Sequence, residues 1–480
     1  MIPNDIKKHR PKGTAISRIR NNYYVYEISS VYDKERKRSK RKTGACIGKI
    51  THDDGFIPNK KFLARSNTFK TKEFGASAFF LETNKDLISK LKKSFPNEYK
   101  RIFCIALLRV IDTTVFSKIG DEYNKSYLSN HFNDLALSKN TVGAFLDYLG
   151  NNEDSIKTFL KSILGNSEKL LFDGTSIFSN SENIDLNKKG YNNNGKSKSQ
   201  INLLYAFSQS NGEPAYYRIL PGNIVDKNAF KQTIVEMGLN KCIIIGDKGF
   251  HSKTNLKFLR DNKLKFIIPI AKNSKLYNGF TEPIDDKKSY DGVFIFHGRP
   301  IWYRKIKVAK EWVYFYLDPK KKEIKEAEYL SKIKDEHENY TMEKFMNKSI
   351  MFGVFAYVSN EDDSGENIYL TYKSRWEIEE SFKNMKQNLE LDTVNVSSSA
   401  RLKGAIFLNH ISLLIYYSLI KSLKNAKLYG RISPNEVISL LKHINLVIMN
   451  DDQSYISETT KKEKELILAL GLNIDDFKVK

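Results

Sequence analysis

Apolar and polar positions along the chain change period several times, and each change predicts an element. Tyr23 to Ser30 alternate with a period of two, Asp33 to Lys42 are polar, and Thr43 to Ile50 alternate again. That pattern predicts a β-hairpin with a basic tip at Lys34, Arg36, Lys37, Arg38, Lys40, Arg41 and Lys42. From about Lys70 to Leu164 the period becomes helical. Phe103 to Ile111 are strongly apolar, and Ser138 is placed to cap Val142 to Leu149. A helix-turn-helix fits there, although short helical pairs usually do no more than pack.

A different texture begins at Lys169. Leu170-Leu171-Phe172-Asp173 reads as an apolar strand ending in a carboxylate, followed by a polar loop from Glu182 to Lys198. Ile201 to Phe207 and Ala215 to Leu220 read as strands around the turn Asn211-Gly212-Glu213-Pro214, and Asp226 to Met237 as a helix. Cys242 to Ile245 is continuously apolar, as a strand buried on both faces is, and it ends in Gly246-Asp247. A helix (Ser252 to Asn262) and a strand (Lys265 to Ile270) close the run. The order βββαβαβ predicts a mixed sheet with acids at the C-terminal ends of two strands. Aromatic alternation from Tyr290 to Leu317 predicts more β-structure, then a lysine-rich helical stretch from Lys320 to Lys348 and a strand from Ile350 to Val358. This block reads as an insertion, because helical spacing resumes only near Ile368.

Composition narrows the classes. The 480 residues allow about three domains. The three cysteines, Cys46, Cys104 and Cys242, are far apart, which argues against a disulfide framework or a zinc finger and fits a reducing cytoplasm. The first residues are polar, unlike a signal peptide. Ala405 to Ile420 is the most apolar segment, yet it contains Asn409, His410 and Ser412 and is short for a bilayer span, so it reads as a buried helix of a soluble chain. Lys and Arg number 79 against 56 Asp and Glu, a net charge of +23. That balance calls for a polyanion, either nucleic acid or an anionic membrane surface. Most of the cations are lysines, whose A/T-rich codons offer a compositional explanation, so charge alone does not decide.

Chemistry concentrates between Tyr372 and Lys386. On a helix advancing about 100° per residue, Tyr372, Arg375, Glu379 and Lys386 fall within an arc of about 60°. Ile378, Phe382, Met385 and Leu389 form an adjoining apolar stripe that would dock on the sheet, placing Glu379 at the core boundary. An ordinary amphipathic helix with an Arg375–Glu379 ion pair would look the same. Two more acids change the odds. Parallel neighbouring strands would bring Asp173 and Asp247 together, and three converging carboxylates call for hard cations. Oxygen-only ligands favour Mg²⁺ or Mn²⁺, and two such ions suit in-line displacement at phosphorus. Arg375 and Lys386 would then hold phosphates.

The spacing of Tyr372, Arg375, Glu379 and Lys386 resembles the Y-(2)-R-(3)-E-(6)-K signature of DDE transposases of bacterial insertion sequences, of the insertion-sequence-four type. Asp173-Gly174-Thr175-Ser176 looks like the family's first-Asp strand and Asp247-Lys248-Gly249-Phe250 like its second-Asp motif. Gln200-Ile201-Asn202-Leu203 and Pro221-Gly222-Asn223 are similar to segments lying between them. Arg401-Leu402-Lys403-Gly404 resembles the close of the core, and the Tyr23 to Gly48 hairpin the N-terminal region of one subgroup. The loop Tyr191 to Ser199 is looser and more Asn-rich than the usual pattern.

The resemblance implies an α/β, ribonuclease-H-like mixed-sheet catalytic core with a β-rich insertion, preceded by a small β-hairpin and a helical N-terminal domain. It implies Asp173, Asp247 and Glu379 as catalytic, metal-binding acids and Tyr372, Arg375 and Lys386 as DNA-binding residues. The implied reaction is cut-and-paste transposition: water attacks at the transposon end, and the freed 3′-OH attacks the other strand or the target. Implied partners are double-stranded DNA, terminal inverted repeats, target DNA and a second subunit in a homodimer. In some relatives an insertion-domain Trp stacks on a flipped base; Trp302 and Trp312 are the candidates, with core packing the commoner role for either.

The expected regions are 1–66 (basic β-hairpin, its tip either a DNA contact or a solvated turn), 67–166 (helical, a candidate for DNA binding), 167–425 (catalytic core, with insertion at about 276–365) and 426–480 (helical). His251 is expected to be a supporting or surface residue, and Glu377 and Glu380 to face solvent. Asp185 and Asp226 are expected in a loop and a helix cap. The alternatives are a domesticated ribonuclease-H-like nuclease and a non-catalytic DNA-binding regulator. Either way the expected location is cytoplasmic and nucleoid-associated, and the membrane alternative drops away.

Overall fold

A computed structural model describes residues 2–33, 38–62, 69–179, 181, 183–191, 197–224, 226–239, 241–335, 337–390, 396–449 and 453–471. The N-terminal hairpin is the central pair of a larger sheet: β1 (Thr14–Ile19), β2 (Asn22–Asp33), β3 (Arg38–Thr51) and β4 (Gly55–Pro58) pair in that order. Its strands are longer than the alternation suggests. Asp33 pairs with Arg38, so Arg38, Lys40, Arg41 and Lys42 belong to β3 rather than to a turn. Residues 34–37, the rest of the basic cluster, lie outside the described residues. A small separate core of Ile6, Tyr23, Val25, Ile47 and Ile50 sits beneath this sheet.

β5 (Phe69–Glu73) leads into a helical block. The apolar run at Phe103 to Ile111 is the buried centre of helix Tyr99–Asp112. Ser138 caps helix Lys139–Asn151, its hydroxyl accepting from the Thr141 amide. That helix does not stand free. It lies so close to helix Ser399–Asn425 that a Cβ on Gly150 would fall 1.8 Å from the Ala400 carbonyl oxygen, and one on Gly404 2.2 Å from that of Leu146. Two glycines, one on each helix, therefore permit the contact. Helix Ser399–Asn425 is longer than the apolar run within it suggests. By length and composition it could cross a membrane, but its most apolar stretch is 83% buried inside the fold.

Among the described residues the main sheet has ten strands: β6 (Lys169–Phe178), β7 (Lys188–Tyr191), β8 (Ser197–Ser208), β9 (Glu213–Pro221), β10 (Ile243–Gly246), β11 (Lys265–Pro269), β12 (Gly292–Phe296), β13 (Arg299–Val308), β14 (Glu311–Leu317) and β15 (Val354–Ser359). Its centre runs β9-β8-β6-β10-β11. β6, β8 and β9 are antiparallel neighbours, while β10 is parallel to β6 and β11 to β10. Numbering those five in chain order gives 3-2-1-4-5, the ribonuclease-H-like arrangement. β7 is an added strand inside the expected polar loop and pairs with β8, and residues 192–196 of that loop lie outside the described residues. The expected inserted strands extend the main sheet. β15 pairs antiparallel with β11, and β14, β13 and β12 continue the same sheet outward. The lysine-rich stretch splits into two helices, Pro319–Lys334 and Met342–Ser349. β16 (Asn445–Met449) and β17 (Gln453–Ile456) close a third sheet on β5. One core extends from Phe74 to Leu470, joining the helical block to the main sheet.

Candidate active site

The parallel pairing of β6 and β10 positions the first two acids. Gly246 pairs with Phe172, so the residues that follow, Asp247 and Asp173, emerge side by side. Asp173 does not end its strand as the apolar pattern suggested; β6 continues to Phe178, paired to β8 throughout. Its Oδ1 accepts from the Gly174 amide at 2.9 Å. Asp247 lies just past β10 and opens a tight turn at Lys248–Phe250.

The third acid arrives on a helix that is not continuous. Helix Gly365–Lys373 ends, and a second helix, Trp376–Lys383, begins. Between them the bonds tighten to an i→i+3 pattern: Arg375 N–H to the Tyr372 carbonyl (3.0 Å), Glu377 to Ser374 (3.0 Å) and Ile378 to Arg375 (3.1 Å). A five-residue π turn, Asn384–Asn388, follows. A tightened turn overwinds a helix and a π turn underwinds it, so the uniform arc expected of Tyr372, Arg375, Glu379 and Lys386 does not hold. The apolar stripe does dock. Ile378, Met385 and Leu389 are buried, and the Phe382 ring meets Tyr205 edge-on at 5.8 Å.

Arg375 gathers the acids. Its Nη1 lies 3.2 Å from Asp173 Oδ2 and 3.0 Å from Glu379 Oε1, and its Nη2 lies 3.9 Å from Asp247 Oδ1. The Arg375 and Asp173 side chains are only 13% and 18% exposed, against 48% for Asp247 and 62% for Glu379. Glu379 thus reaches in from solvent rather than sitting at the core boundary. Burial pushes the Asp173 carboxyl up to about 6; Arg375 and the Gly174 amide oppose that rise, and Asp247 and Glu379 add to it. Burial works against the Arg375 charge, yet the surrounding anions, Asp173 foremost, hold its pKa above the ordinary value.

Tyr372 is tied to the same cluster. Burial raises its phenol pKa, and its ring packs 4.2 Å from that of Tyr357. Lys386 is half-buried within the π turn. Asn202 of β8 links the intervening motifs: its Nδ2 donates to the Gly222 carbonyl at 3.1 Å, and its Oδ1 accepts from Ser176 at 2.9 Å.

Among the described residues, no three His, Cys, Asp or Glu side chains close to metal-binding spacing. The three carboxylates splay around a guanidinium, which is the cation they share here. By donor type the set fits a hard divalent ion, since every candidate ligand is a carboxylate oxygen.

Other candidates moved. Glu377 is half-buried, its pKa raised by burial against the pull of Lys424, and Glu380 accepts from the Tyr429 hydroxyl at 2.5 Å. Neither is a simple solvated residue, because both face neighbours that only the tertiary fold supplies. His251 is half-buried, with an Nε2 that has no partner among the described residues, and burial lowers its pKa. Trp302 and Trp312 are half-buried, and Lys305 Nζ stands 4.3 Å over the Trp312 ring. Asp185 is exposed, and Asp226 opens its helix with its side chain outside the described residues. The sequence reading missed Tyr205, which faces Asp173 across β8 and bonds the buried His410 at 3.1 Å. Only the β6–β8 register reveals that placement.

Residues 165–415 match the family described as Transposase DDE domain, just over half of the chain. The chain belongs to that family. As a DDE transposase it moves DNA by cut-and-paste transposition, cleaving DNA and transferring strands by phosphoryl transfer, and DDE transposases generally use divalent metals. Among solved structures, the piggyBac transposase synaptic complex with hairpin DNA is 13% identical, with a TM-score of 0.38 over 79% of this chain and 80% of that one. The Mos1 transposase paired-end complex with the left transposon end is 15% identical, with a TM-score of 0.15 over 34% of this transposase and 56% of that chain. No curated protein matches this sequence. The assignment rests on the family match.

Proposed function

We propose that Asp173, Asp247 and Glu379 are the transposase's catalytic carboxylates and hold two divalent ions, Mg²⁺ or Mn²⁺. The observation that carries this reading is the convergence of all three acids on one guanidinium. They come from two parallel strands and a helix far apart in sequence, and burial raises the carboxyl of Asp173 among them. Converging carboxylates favour a cation among them, a place that the Arg375 guanidinium holds here. When bound, the ions activate the attacking oxygen and stabilise the leaving one.

The protein's own groups bind and orient. Tyr372, Arg375 and Lys386 grip phosphates at the transposon end. Arg375 must exchange its carboxylate partners for a phosphate, a fork-like acceptor that suits a guanidinium equally well. Without a metal, burial holds the Asp173 carboxyl at about 6, and a bound cation would favour its ionised form. On this reading residues 167–425 form the catalytic unit, with an insertion at about 276–365, and the basic N-terminal sheet adds a DNA contact. The enzyme is of the bacterial insertion-sequence-four type. It acts as a homodimer on terminal inverted repeats and target DNA in the nucleoid-bearing cytoplasm.

The test is nicking of a duplex that carries the DNA flanking the coding region, with Mg²⁺ or Mn²⁺. The wild-type protein nicks at defined ends, and Asp173→Asn, Asp247→Asn and Glu379→Gln each bind DNA without nicking it. Undiminished nicking by Asp247→Asn would overturn the assignment.

A further inference from the structure

Beyond the carboxylates, on the side of the inserted strands, cations from four elements meet. Helix Pro319–Lys334 carries Lys321 and Lys325, four residues apart and so on one face. Lys321 Nζ stands 5.4 Å over the Phe355 ring of β15. Lys373, the neighbour of Tyr372, stands 5.2 Å over the ring of Tyr369. Those two rings are 6.1 Å apart, so both ammonium groups rest on one aromatic floor. Arg299, at the start of β13, lies 3.3 Å from the buried carboxylate of Asp318, which also caps the lysine helix by accepting from the Lys321 amide. Lys272, just past β11, donates to the Met351 carbonyl.

Pairing separates these cations from their neighbours. Lys320 and Lys322, on the same helix, are ion-paired with Glu323 and Asp285. Among the described residues Lys272, Lys321, Lys325 and Lys373 make no ion pair with a carboxylate, and Asp318 is already shared by Arg299 and the helix cap. The cost of this crowding is visible. Burial and then Lys325 and Lys321 push Lys272 down to about 8, and burial, Lys321 and Arg299 lower Lys373. Lysines four apart on a helix also repel one another. Glu379 is close enough to Lys373 to offset part of its repulsion, so the cluster begins where the carboxylates end.

We infer that Lys272, Arg299, Lys321, Lys325 and Lys373 form a phosphate-binding track that carries a DNA segment from the carboxylates across the inserted helix. The track rests on the proposed catalytic reading only for where it starts. Phosphates would supply the counter-charge that the protein withholds, and their binding would release condensed cations from the DNA.

The full-length Lys321→Gln/Lys325→Gln variant tests it, titrated across a salt series with a fluorescent duplex of roughly 40 base pairs, long enough to span the surface. The plot of log affinity against log salt becomes shallower by about 2, at ~0.9 per lost phosphate contact. The melting temperature holds or rises as repulsion is relieved. A control pair in the helical block, Lys85→Gln/Lys125→Gln, leaves the slope unchanged. Acetylation footprinting then finds Lys321, Lys325 and Lys373 protected by the duplex. An unchanged slope in the track variant, or an equal drop in the control, overturns the inference. If the slope holds while Asp247→Asn abolishes nicking, the track fails and the catalytic reading stands. If the slope falls while Asp247→Asn still nicks, the track stands and the catalytic reading fails.

Discussion

Replacing Asp173 by Asn should make the metal-free protein more stable while destroying its activity. Burial raises this carboxyl from 3.8 to about 6 in the folded protein. At ~1.4 kcal/mol per tenfold change, ionising it in the fold costs roughly 3 kcal/mol at pH 7.5. The sign follows from the raised value. The folded state holds the proton more tightly than the unfolded chain, so the penalty grows as pH rises from 3.8 and is complete above about 6. Asn mimics the protonated acid and avoids the penalty. In urea unfolding with a chelator present, Asp173→Asn should exceed wild type by roughly 2–3 kcal/mol at pH 7.5 and by about half as much at pH 5. Divalent metal should narrow the gap by stabilising only the wild type. A variant no more stable than wild type at pH 7.5, or a gain that does not shrink on acidification, would refute the electrostatic account of the site.

Arg375→Gln removes the cation that three acids share and should cost about 1–3 kcal/mol at pH 7.5, as loss of a charged partner does. Most of that loss should vanish in the Asp173→Asn background, a coupling that a double-mutant cycle by urea unfolding reads directly. Two glycines on one helix should respond oppositely to Ala. At Gly150 the new Cβ would strike the Ala400 carbonyl, costing about 1–3 kcal/mol or more. At Gly143 the nearest atom is Arg401 Cζ at 3.9 Å, so the better helix former should be neutral or stabilising by up to ~1 kcal/mol. Thermal unfolding of the two variants checks both.

The centre of the fold was legible because burial leaves a plain trace in composition. Cys242 to Ile245 is apolar on both faces, as a central parallel strand must be, and its pairing with β6 brings Asp247 beside Asp173 as expected. The Ile378, Phe382, Met385 and Leu389 stripe likewise marks the docked face of its helix. What escaped depends on neighbours distant in sequence. No Pro or Gly between Tyr372 and Asn388 announces the tightened turn at Ser374 and Arg375 or the π turn at Asn384–Asn388. Glu380 looks like a solvent-facing acid until Tyr429 arrives from another helix end. The aromatic alternation of β12 to β14 predicts strands but not that they extend the catalytic sheet, because edge pairing is fixed by β15 meeting β11.

Iron-directed cleavage of the polypeptide tests whether Asp173, Asp247 and Glu379 together hold the metal. Fe²⁺ substituted for Mg²⁺, with ascorbate and peroxide, should break the backbone near residues 173, 247 and 379. Excess Mg²⁺ should suppress those breaks, and Asp247→Asn should lose them. Breaks elsewhere, or the same pattern persisting in Asp247→Asn, would contradict the account.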